Sequence, residues 1–291
     1  MKKHIINLVG FASHFLPMPV KLAIYRSPMF ARVVRSGLNK AVPHGYTTLA
    51  VAAGGLRGMK LTLDLLTEKD YWLGTYEPEL QSAIADLIKP GDIAYDVGAN
   101  IGYITLLLAR QVGDTGQVFA FEALPENQRR LQENINLNQL NDRVKIIQVA
   151  IVERSHPVEF LLGPSHGTGK AVGSAGRQEL QYPGAITVSG TSLDEFVYTA
   201  GKPAPKILKM DIEGGEVLAL PGMQRLLHQE RPIFLLELHG PEAARVAWEV
   251  LHETNYQLYR MQSGYPPITS LAVLDWKSHL VALPMPKKQT G

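Results

Sequence analysis

The sequence predicts an α/β fold, a Rossmann-like, doubly wound and mostly parallel sheet, and two observations support this prediction. From about residue 90 onward, strand-like and helix-like segments alternate along the 291-residue chain. That order builds a parallel sheet with helices on both faces. In addition, an acid and two glycines stand at a strand-to-helix turn within residues 96–102. Parallel sheets of this kind bind their ligands at such turns, beyond the carboxyl ends of the strands.

The alternation defines individual elements, preceded by a β-hairpin. The predicted strands are 49–52, 59–65, 93–97, 117–122, 145–150, 158–161, 206–211, 233–238, 256–260 and 280–283. The predicted helices are 78–88, 102–112, 125–137, a short capped helix at 191–196, a helix within 216–227, and 242–254. Residues 163–184 are rich in glycine and polar residues, and we expect a flexible loop there, which at this length covers a site or is disordered.

Composition excludes several classes of protein. Hydrophobic residues make up 45% of the chain and charged residues 19%, which suits a full core and argues against disorder. The net charge of +2 argues against a dedicated nucleic-acid-binding protein. Cysteine is absent, so disulfides and thiolate metal sites are excluded, and we expect a cytoplasmic protein. No apolar run reaches the roughly 18 residues that a membrane span needs.

The N-terminal segment differs from the rest in charge. Residues 1–40 contain seven lysines and arginines and no acids, interleaved with aromatic and aliphatic residues. This pattern favours basic amphipathic helices that form a cap on the core, and the alternatives are a weak contact with a membrane surface and a contact with a partner. We therefore expect two parts, a helical and hairpin extension over residues 1–70 and a main domain over residues 71–285. The tail from residue 284 is expected to be solvated.

The glycine turn carries information about the ligand. The pattern is Asp96-x-Gly98-x-x-x-Gly102, which lacks the glycine spacing of the dinucleotide fingerprint and is the glycine-loop pattern of S-adenosylmethionine-dependent methyltransferases. Glu122 ends the next strand, about 20 residues later, where such folds place the acid that binds the ribose hydroxyls. The alternative is a tight turn with no ligand.

Polar residues follow two later strands. Asp211 and Glu213 follow one apolar strand, and Glu237 and His239 end another. Residues two apart on an extended chain point the same way, so each pair can face the ligand site. One of Asp211, Glu213 and His239 is expected to remove a proton from the acceptor, and His239 has the most suitable unperturbed pKa. The alternatives are a structural network and, with Glu237 included, a Mg²⁺ or Mn²⁺ site, although our prediction is that no metal is bound.

Several segments taken together resemble the FkbM-type methyltransferase family. They are Gly74-Thr-Tyr-Glu-Pro-Glu79, Asp96-Val-Gly-Ala-Asn-Ile-Gly-Tyr103, Phe121-Glu-Ala123, Thr191-Ser-Leu-Asp194 and Lys209-Met-Asp-Ile-Glu-Gly214. The resemblance covers about residues 70–240. It implies a class I methyltransferase fold and S-adenosylmethionine as the cofactor.

The resemblance also implies a reaction and a set of binding residues. The reaction is methyl transfer, usually to a hydroxyl of a sugar or secondary metabolite, so the expected partner is a small-molecule acceptor. The implied cofactor-binding residues are Glu77, Asp96, Gly98, Asn100, Gly102 and Glu122. The alternatives are a catalytically degenerate scaffold that still binds the cofactor and a nucleotide-dependent oxidoreductase.

Overall fold

A computed structural model describes residues 45–163, 169–177, 179 and 181–286. The predicted helices and membrane contact of residues 1–40 lie outside the described residues, as do residues 287–291 of the tail. In chain order the elements are β1 (Tyr46–Ala50), β2 (Lys60–Asp64), α1 (Lys69–Leu73), α2 (Pro78–Leu87), β3 (Ile93–Val97), α3 (Tyr103–Val112), β4 (Gln117–Phe121), α4 (Pro125–Leu137), β5 (Val144–Ile147), β6 (Ala150–Ile151), β7 (His156–Leu162), β8 (Gly169–Ala171), β9 (Gly184–Thr191), β10 (Ile207–Met210), α5 (Glu216–Ala219), α6 (Gln224–Gln229), β11 (Ile233–His239), α7 (Pro241–Glu253), β12 (Tyr256–Arg260) and β13 (Lys277–Pro284).

The predicted doubly wound sheet is confirmed. Seven strands lie in the order β12-β13-β11-β10-β3-β4-β5. The five strands from β11 to β5 are parallel, and β13 runs antiparallel to both of its neighbours. Their buried residues form two apolar clusters, one with α2, α3 and α4 and the other with α6 and α7. Helices therefore cover both faces, and the carboxyl ends of β3, β4, β10 and β11 meet at one edge.

The predicted hairpin is present and packs against α4. β1 and β2 pair antiparallel, with Tyr46 opposite Asp64. Buried leucines of β2 belong to the same apolar cluster as α2 and α3. The predicted boundary between residues 70 and 71 falls within α1, and the division into two parts stays a prediction.

A second, four-stranded sheet lies between β5 and β10 in the chain, with the order β6-β9-β7-β8. The single strand predicted over 145–150 is wrong. The backbone turns at Val149, whose N–H donates to the carbonyl of Ile147, and this turn separates β5 from β6. The loop predicted over 163–184 is partly wrong, since it contains β8, which pairs with β7.

A capping box begins the short helical segment after β9, as the sequence predicts. The N–H of Glu195 donates to Ser192 Oγ at 3.1 Å, and the N–H of Ser192 donates to Glu195 Oε2 at 3.2 Å. The segment continues as a π-helix over Glu195–Thr199. Among the described residues, no helix has the length and apolar character needed to cross a membrane.

Candidate active site

The glycine loop joins β3 to α3 and presses against the end of β10. Gly98 has φ +83°, and a Cβ there would collide with the carbonyl oxygen of Asp211. Gly102 has φ +96°, and a Cβ there would lie 2.5 Å from a Leu131 methyl group. Both glycines are therefore required by their own backbone conformation and by packing. Asn100 also has a positive φ, +50°, which asparagine tolerates better than most residues.

An open cavity lies above this loop. It encloses about 1010 Å³, part of it open to solvent. Its lining comes from α1 and the segment before α2, the glycine loop, the ends of β4 and β10, and the second sheet. The lining includes Tyr71, Tyr76, Gly98, Asn100, Glu122, Val149, Ala150, Ile151, Phe160, Lys209, Asp211 and Glu213. Asp96, Gly102, Glu77 and His239, which the sequence also predicts as site residues, do not line it.

Glu122 lies on the cavity wall, and its carboxylate is held by the neighbouring backbone. Oε2 accepts from the N–H of Asn100 at 2.7 Å, while Oε1 accepts from the N–H of Leu124 at 2.8 Å and from Asn127 Nδ2 at 3.3 Å. Burial raises the pKa of Glu122, although the N–H groups of Leu124 and Asn100 act in the opposite direction. A carboxylate offers about four lone-pair positions, so one position, on Oε2, is left for a ligand hydroxyl.

Asp96 lies beneath the loop rather than on the cavity wall. It is fully buried, accepts from Thr105 Oγ1 at 2.6 Å and pairs with Lys209 Nζ at 3.2 Å. Lys209 also donates to the carbonyl of Gly98 at 3.1 Å. Its pKa is raised, because the carboxylates of Asp96 and Asp211 outweigh the lowering effect of burial. Lys209 was not among the predicted site residues, although a lysine inside an apolar strand is a signal that it has a buried partner.

Glu77 stands at the N-terminus of α2 with φ +42°. It contributes to a small pocket behind the cavity wall, together with Lys209, Asp211, Glu237 and His279. Burial and the carboxylate of Glu237 raise the pKa of Glu77, and Lys209 lowers it. Its assignment as a cofactor-binding residue stays a prediction.

Three tyrosines form an aromatic wall of the cavity. The rings of Tyr71 and Tyr103 stack with their centroids 4.9 Å apart, and Tyr76 meets them edge-on at 4.5 and 5.5 Å. Burial raises the pKa of all three phenols, so they are neutral at physiological pH. Electron-rich ring faces of this kind attract cations.

The carboxyl ends of β10 and β11 bring the predicted catalytic residues together. His239 Nε2 lies 2.9 Å from Glu237 Oε1, and it is 3.9 Å from carboxylate oxygens of both Asp211 and Glu213. His239 Nδ1 lies 3.4 Å from Glu216 Oε1. Glu213 reaches the group through a turn with φ +54° instead of the extended path that the sequence analysis assumed.

The charges of this group differ from the expectation. Burial alone would lower the pKa of His239, but its contacts with Glu216 and Glu237 outweigh burial and raise the pKa to about 10. The pKa of Glu237 is lowered to about 2, because His239 and Lys277 outweigh the effect of its burial. At neutral pH the imidazole is therefore a cation between carboxylates, which favours a positioning role for His239 over proton removal.

The pKa of Asp211 is raised, unlike that of Glu237. The side chain of Asp211 is 19% exposed and faces the cavity. Burial and the carboxylate of Glu237 raise the pKa of Asp211 to about 8, although Lys209 acts in the opposite direction. Of the three predicted catalytic residues, Asp211 has the geometry and the proton affinity most suited to a general base.

The same group has the donor types that a metal ion needs. Asp211, Glu237 and His239 offer ligand atoms within 4.8 Å of one another, and so do Glu77, Glu237 and His279. Glu237 is already paired with Lys277 and His239. A metal would have to displace these cations, and metal binding remains an alternative to be tested.

Comparison with known proteins relates this chain to methyltransferases. The chain is 28% identical to the hexuronic acid methyltransferase AglP of Haloferax volcanii over 164 residues, 56% of this chain and 63% of AglP. It is 29% identical to the 2-O-methyltransferase NoeI of Sinorhizobium fredii over 161 residues, 51% of this chain and 64% of NoeI. The chain thus spans somewhat less than two thirds of the length of each relative.

A solved structure and a family profile complete the comparison. The methyltransferase FkbM of Methylobacillus flagellatus KT matches with 16% identity and a TM-score of 0.43, over 75% of this chain and 53% of that chain. The methyltransferase FkbM domain matches residues 96–260, more than half of the chain and the whole segment from Asp96 to the end of β12. The protein therefore belongs to the FkbM methyltransferase family, a class I family whose cofactor is S-adenosylmethionine.

Proposed function

We propose that the protein transfers a methyl group from S-adenosylmethionine to a hydroxyl of a sugar, and that Asp211 removes the hydroxyl proton. The observation that carries this proposal is the position of the Asp211 carboxylate. Asp211 lines the cavity at the end of β10, where its backbone carbonyl presses against Gly98 of the glycine loop, and its carboxylate lies 3.9 Å from His239 Nε2. The name of one relative, a hexuronic acid methyltransferase, supports a sugar as the acceptor, and that of another, a 2-O-methyltransferase, supports transfer to oxygen.

The cavity fits the cofactor in three respects. Glu122 Oε2 has a lone-pair position left for a ribose hydroxyl. Val149, Ile151 and Phe160 provide an apolar surface suited to a flat base. The aromatic wall, which faces the same cavity as Asp211, suits a sulfonium cation.

The chemistry divides between the cofactor and the chain. When bound, S-adenosylmethionine supplies an electrophilic methyl group, so the chain has to align the acceptor oxygen with the methyl–sulfur bond. Asp211 accepts the hydroxyl proton in its ionised form, which its raised pKa makes a stronger base than an ordinary carboxylate. His239 lies 3.9 Å from carboxylate oxygens of both Asp211 and Glu213, and its charge opposes the effect of Glu237 on the pKa of Asp211.

The test is the substitution Asp211→Asn. General-base catalysis contributes roughly 10²- to 10⁴-fold, and we expect a loss of kcat in this range with labelled cofactor and a sugar acceptor. Calorimetry should show nearly unchanged affinity for S-adenosylhomocysteine, because the carboxamide keeps the shape of the side chain. Asp142→Asn, at an exposed position outside the cavity, is the matched control and should retain the wild-type rate.

Two other outcomes would change the proposal. Loss of wild-type activity in chelator, restored by Mg²⁺ or Mn²⁺, would make Asp211 a metal ligand. If the wild-type protein binds S-adenosylhomocysteine but transfers no label to any sugar acceptor or cell extract, the protein is a cofactor-binding scaffold.

A further inference from the structure

An exposed tryptophan stands beside the reaction site. Trp276 directly precedes β13 and remains 42% exposed. Its carbonyl accepts from the N–H of Gly240 at 2.6 Å, which fixes the residue beyond the carboxyl end of β11. The indole meets the ring of His239 edge-on, with the centroids 6.1 Å apart. Because His239 in turn contacts Asp211 and Glu213, the indole lies next to the group that handles the acceptor.

An arginine from the segment that joins β8 to β9 lies over this indole. The guanidinium carbon of Arg177 is 5.6 Å from the ring centroid of Trp276. The segment that carries Arg177 is held against the turn after β10, since the N–H of Ala175 donates to the carbonyl of Gly214 at 2.9 Å. Lys170 Nζ donates to the carbonyl of Arg177 at 2.8 Å and holds the backbone from the other side. The position of Arg177 is therefore fixed by its backbone, while its side chain reaches solvent.

The charge of Arg177 is not neutralised within the described part of the chain, where no carboxylate lies within 4.0 Å of its guanidinium. Glu213 lies on the turn against which this segment is held, and its carboxylate is 3.9 Å from His239 Nε2. A guanidinium binds a carboxylate through two parallel hydrogen bonds. A large aromatic face provides contact area for the C–H face of a sugar ring.

We propose that Trp276 and Arg177 form the acceptor subsite, and that they bind a pyranose that carries a carboxylate. The proposal rests on the proposed function and gives it a substrate class, an acidic sugar. The ring lies against the indole, and its carboxylate binds Arg177. One of its hydroxyls then points along His239 towards Asp211 and the cofactor.

The experiment uses two probes that differ only in the carboxylate, methyl glucuronide and methyl glucoside. Binding to the full chain is measured by calorimetry with S-adenosylhomocysteine present, and KM and kcat are measured with S-adenosylmethionine. We expect tighter binding of the glucuronide. Arg177→Gln should weaken glucuronide binding and raise its KM by about tenfold to a hundredfold, the range of a hydrogen-bonded charge, with little effect on the glucoside.

Variants of Trp276 separate the stacking surface from the charge. Trp276→Leu should weaken binding of both glycosides, and Trp276→Phe should restore most of it. The controls are Trp248→Leu, whose ring packs on His252 on α7, and Arg129→Gln, an exposed arginine paired within its own helix. Neither control should change the KM of either sugar.

The outcomes that contradict the subsite are distinct from failure of the proposed function. Wild-type binding of the glucuronide no tighter than that of the glucoside would overturn the proposal, as would an equal loss of both sugars in Arg177→Gln. Failure of the proposed function would instead appear as wild-type protein that does not transfer label to any sugar, whatever its affinity for the two glycosides.

Discussion

Two smaller β-structures are added to the central sheet, the hairpin and the four-stranded second sheet, and they contact different parts of the molecule. The hairpin of β1 and β2 packs against α4 and contributes no residue to the cavity lining. The second sheet of β6 to β9 lies over the cavity and supplies Ala150, Ile151 and Phe160 to its wall. One addition contacts α4, and the other shapes the space where ligands bind.

Besides its apolar packing, the hairpin region has buried polar contacts with α4. Asn134 on α4 accepts from the N–H of Thr62 at 2.8 Å and donates to the carbonyl of Ile101 in the glycine loop at 2.8 Å. Arg130 binds Glu68 through two hydrogen bonds of 2.8 and 2.6 Å. The side chains of one helix thus join the hairpin to the loop, and the difference between the two additions predicts separable effects on stability and on binding.

The largest expected effect is a loss of stability when the contact between α4 and the hairpin is removed. Asn134→Ala leaves the N–H of Thr62 and the carbonyl of Ile101 buried without partners, which should lower the free energy of unfolding by about 2–4 kcal/mol. Denaturant unfolding measures this loss. Asn136→Ala, at an exposed position on the same helix, should cost less than about 0.5 kcal/mol. Equal effects of the two substitutions would show that the hairpin is not held through Asn134.

The second effect concerns the segment that joins β8 to β9. A Cβ at Gly176 would collide with the carbonyl oxygen of Glu213, so Gly176→Ala should push this segment away from the turn after β10. We expect about 1–3 kcal/mol of destabilisation from overpacking and a higher KM for the acceptor. Gly184→Ala, whose Cβ would lie 3.6 Å from Leu162, is the control in the same sheet. An unchanged acceptor KM in Gly176→Ala would mean that the segment does not shape the acceptor site.

The smallest expected effect is a change with pH, which should act on activity and on stability in opposite directions. Since Asp211 must be ionised to accept a proton and its pKa is about 8, kcat should rise about tenfold between pH 7 and pH 9. Stability should change in the opposite direction. Asp211 and His239 both have folded-state pKa values above their ordinary ones, so the folded protein binds more protons, and the free energy of unfolding falls as pH rises from neutral towards 10.

Rate measurements and thermal unfolding over the same pH range check both trends. In Asp211→Asn the rise in rate should disappear, and part of the loss of stability should remain because His239 still titrates. A rate that does not vary between pH 7 and pH 9 in the wild-type protein would contradict the role of Asp211.

The sequence predicted the fold well where short-range patterns determine it. Strand β3, helix α4 and the hairpin were predicted from the alternation of strand-like and helix-like segments and from glycines at turns, and the predicted membership of the FkbM methyltransferase family is confirmed. The break between β5 and β6 was missed, because one backbone turn at Val149 divides a run of apolar residues that reads as a single strand.

The sequence predicted which residues meet at the site better than it predicted their charges and contacts. The convergence of Asp211, Glu213 and His239 follows from the topology of parallel strands, and the structure shows it. The charge of His239 depends on Glu216, which lies 23 residues away in the chain and comes close only in the folded protein. The meeting of Arg177 with Trp276 depends in the same way on two segments about a hundred residues apart. Contacts of this kind leave no periodic signal in a sequence.

The bond between Thr62 and Asn134 has a consequence for synthesis of the chain on the ribosome. The two residues are 72 positions apart, so at elongation rates of about 5–20 residues per second the hairpin waits roughly 4–14 s for its helix. A two-stranded hairpin is at best marginally stable alone, and during that interval the leucines of β2 have no core to enter. The nascent chain therefore exposes an apolar strand with free edges until α4 is made, and slower translation between residues 62 and 134 lengthens its exposure to aggregation and to chaperones.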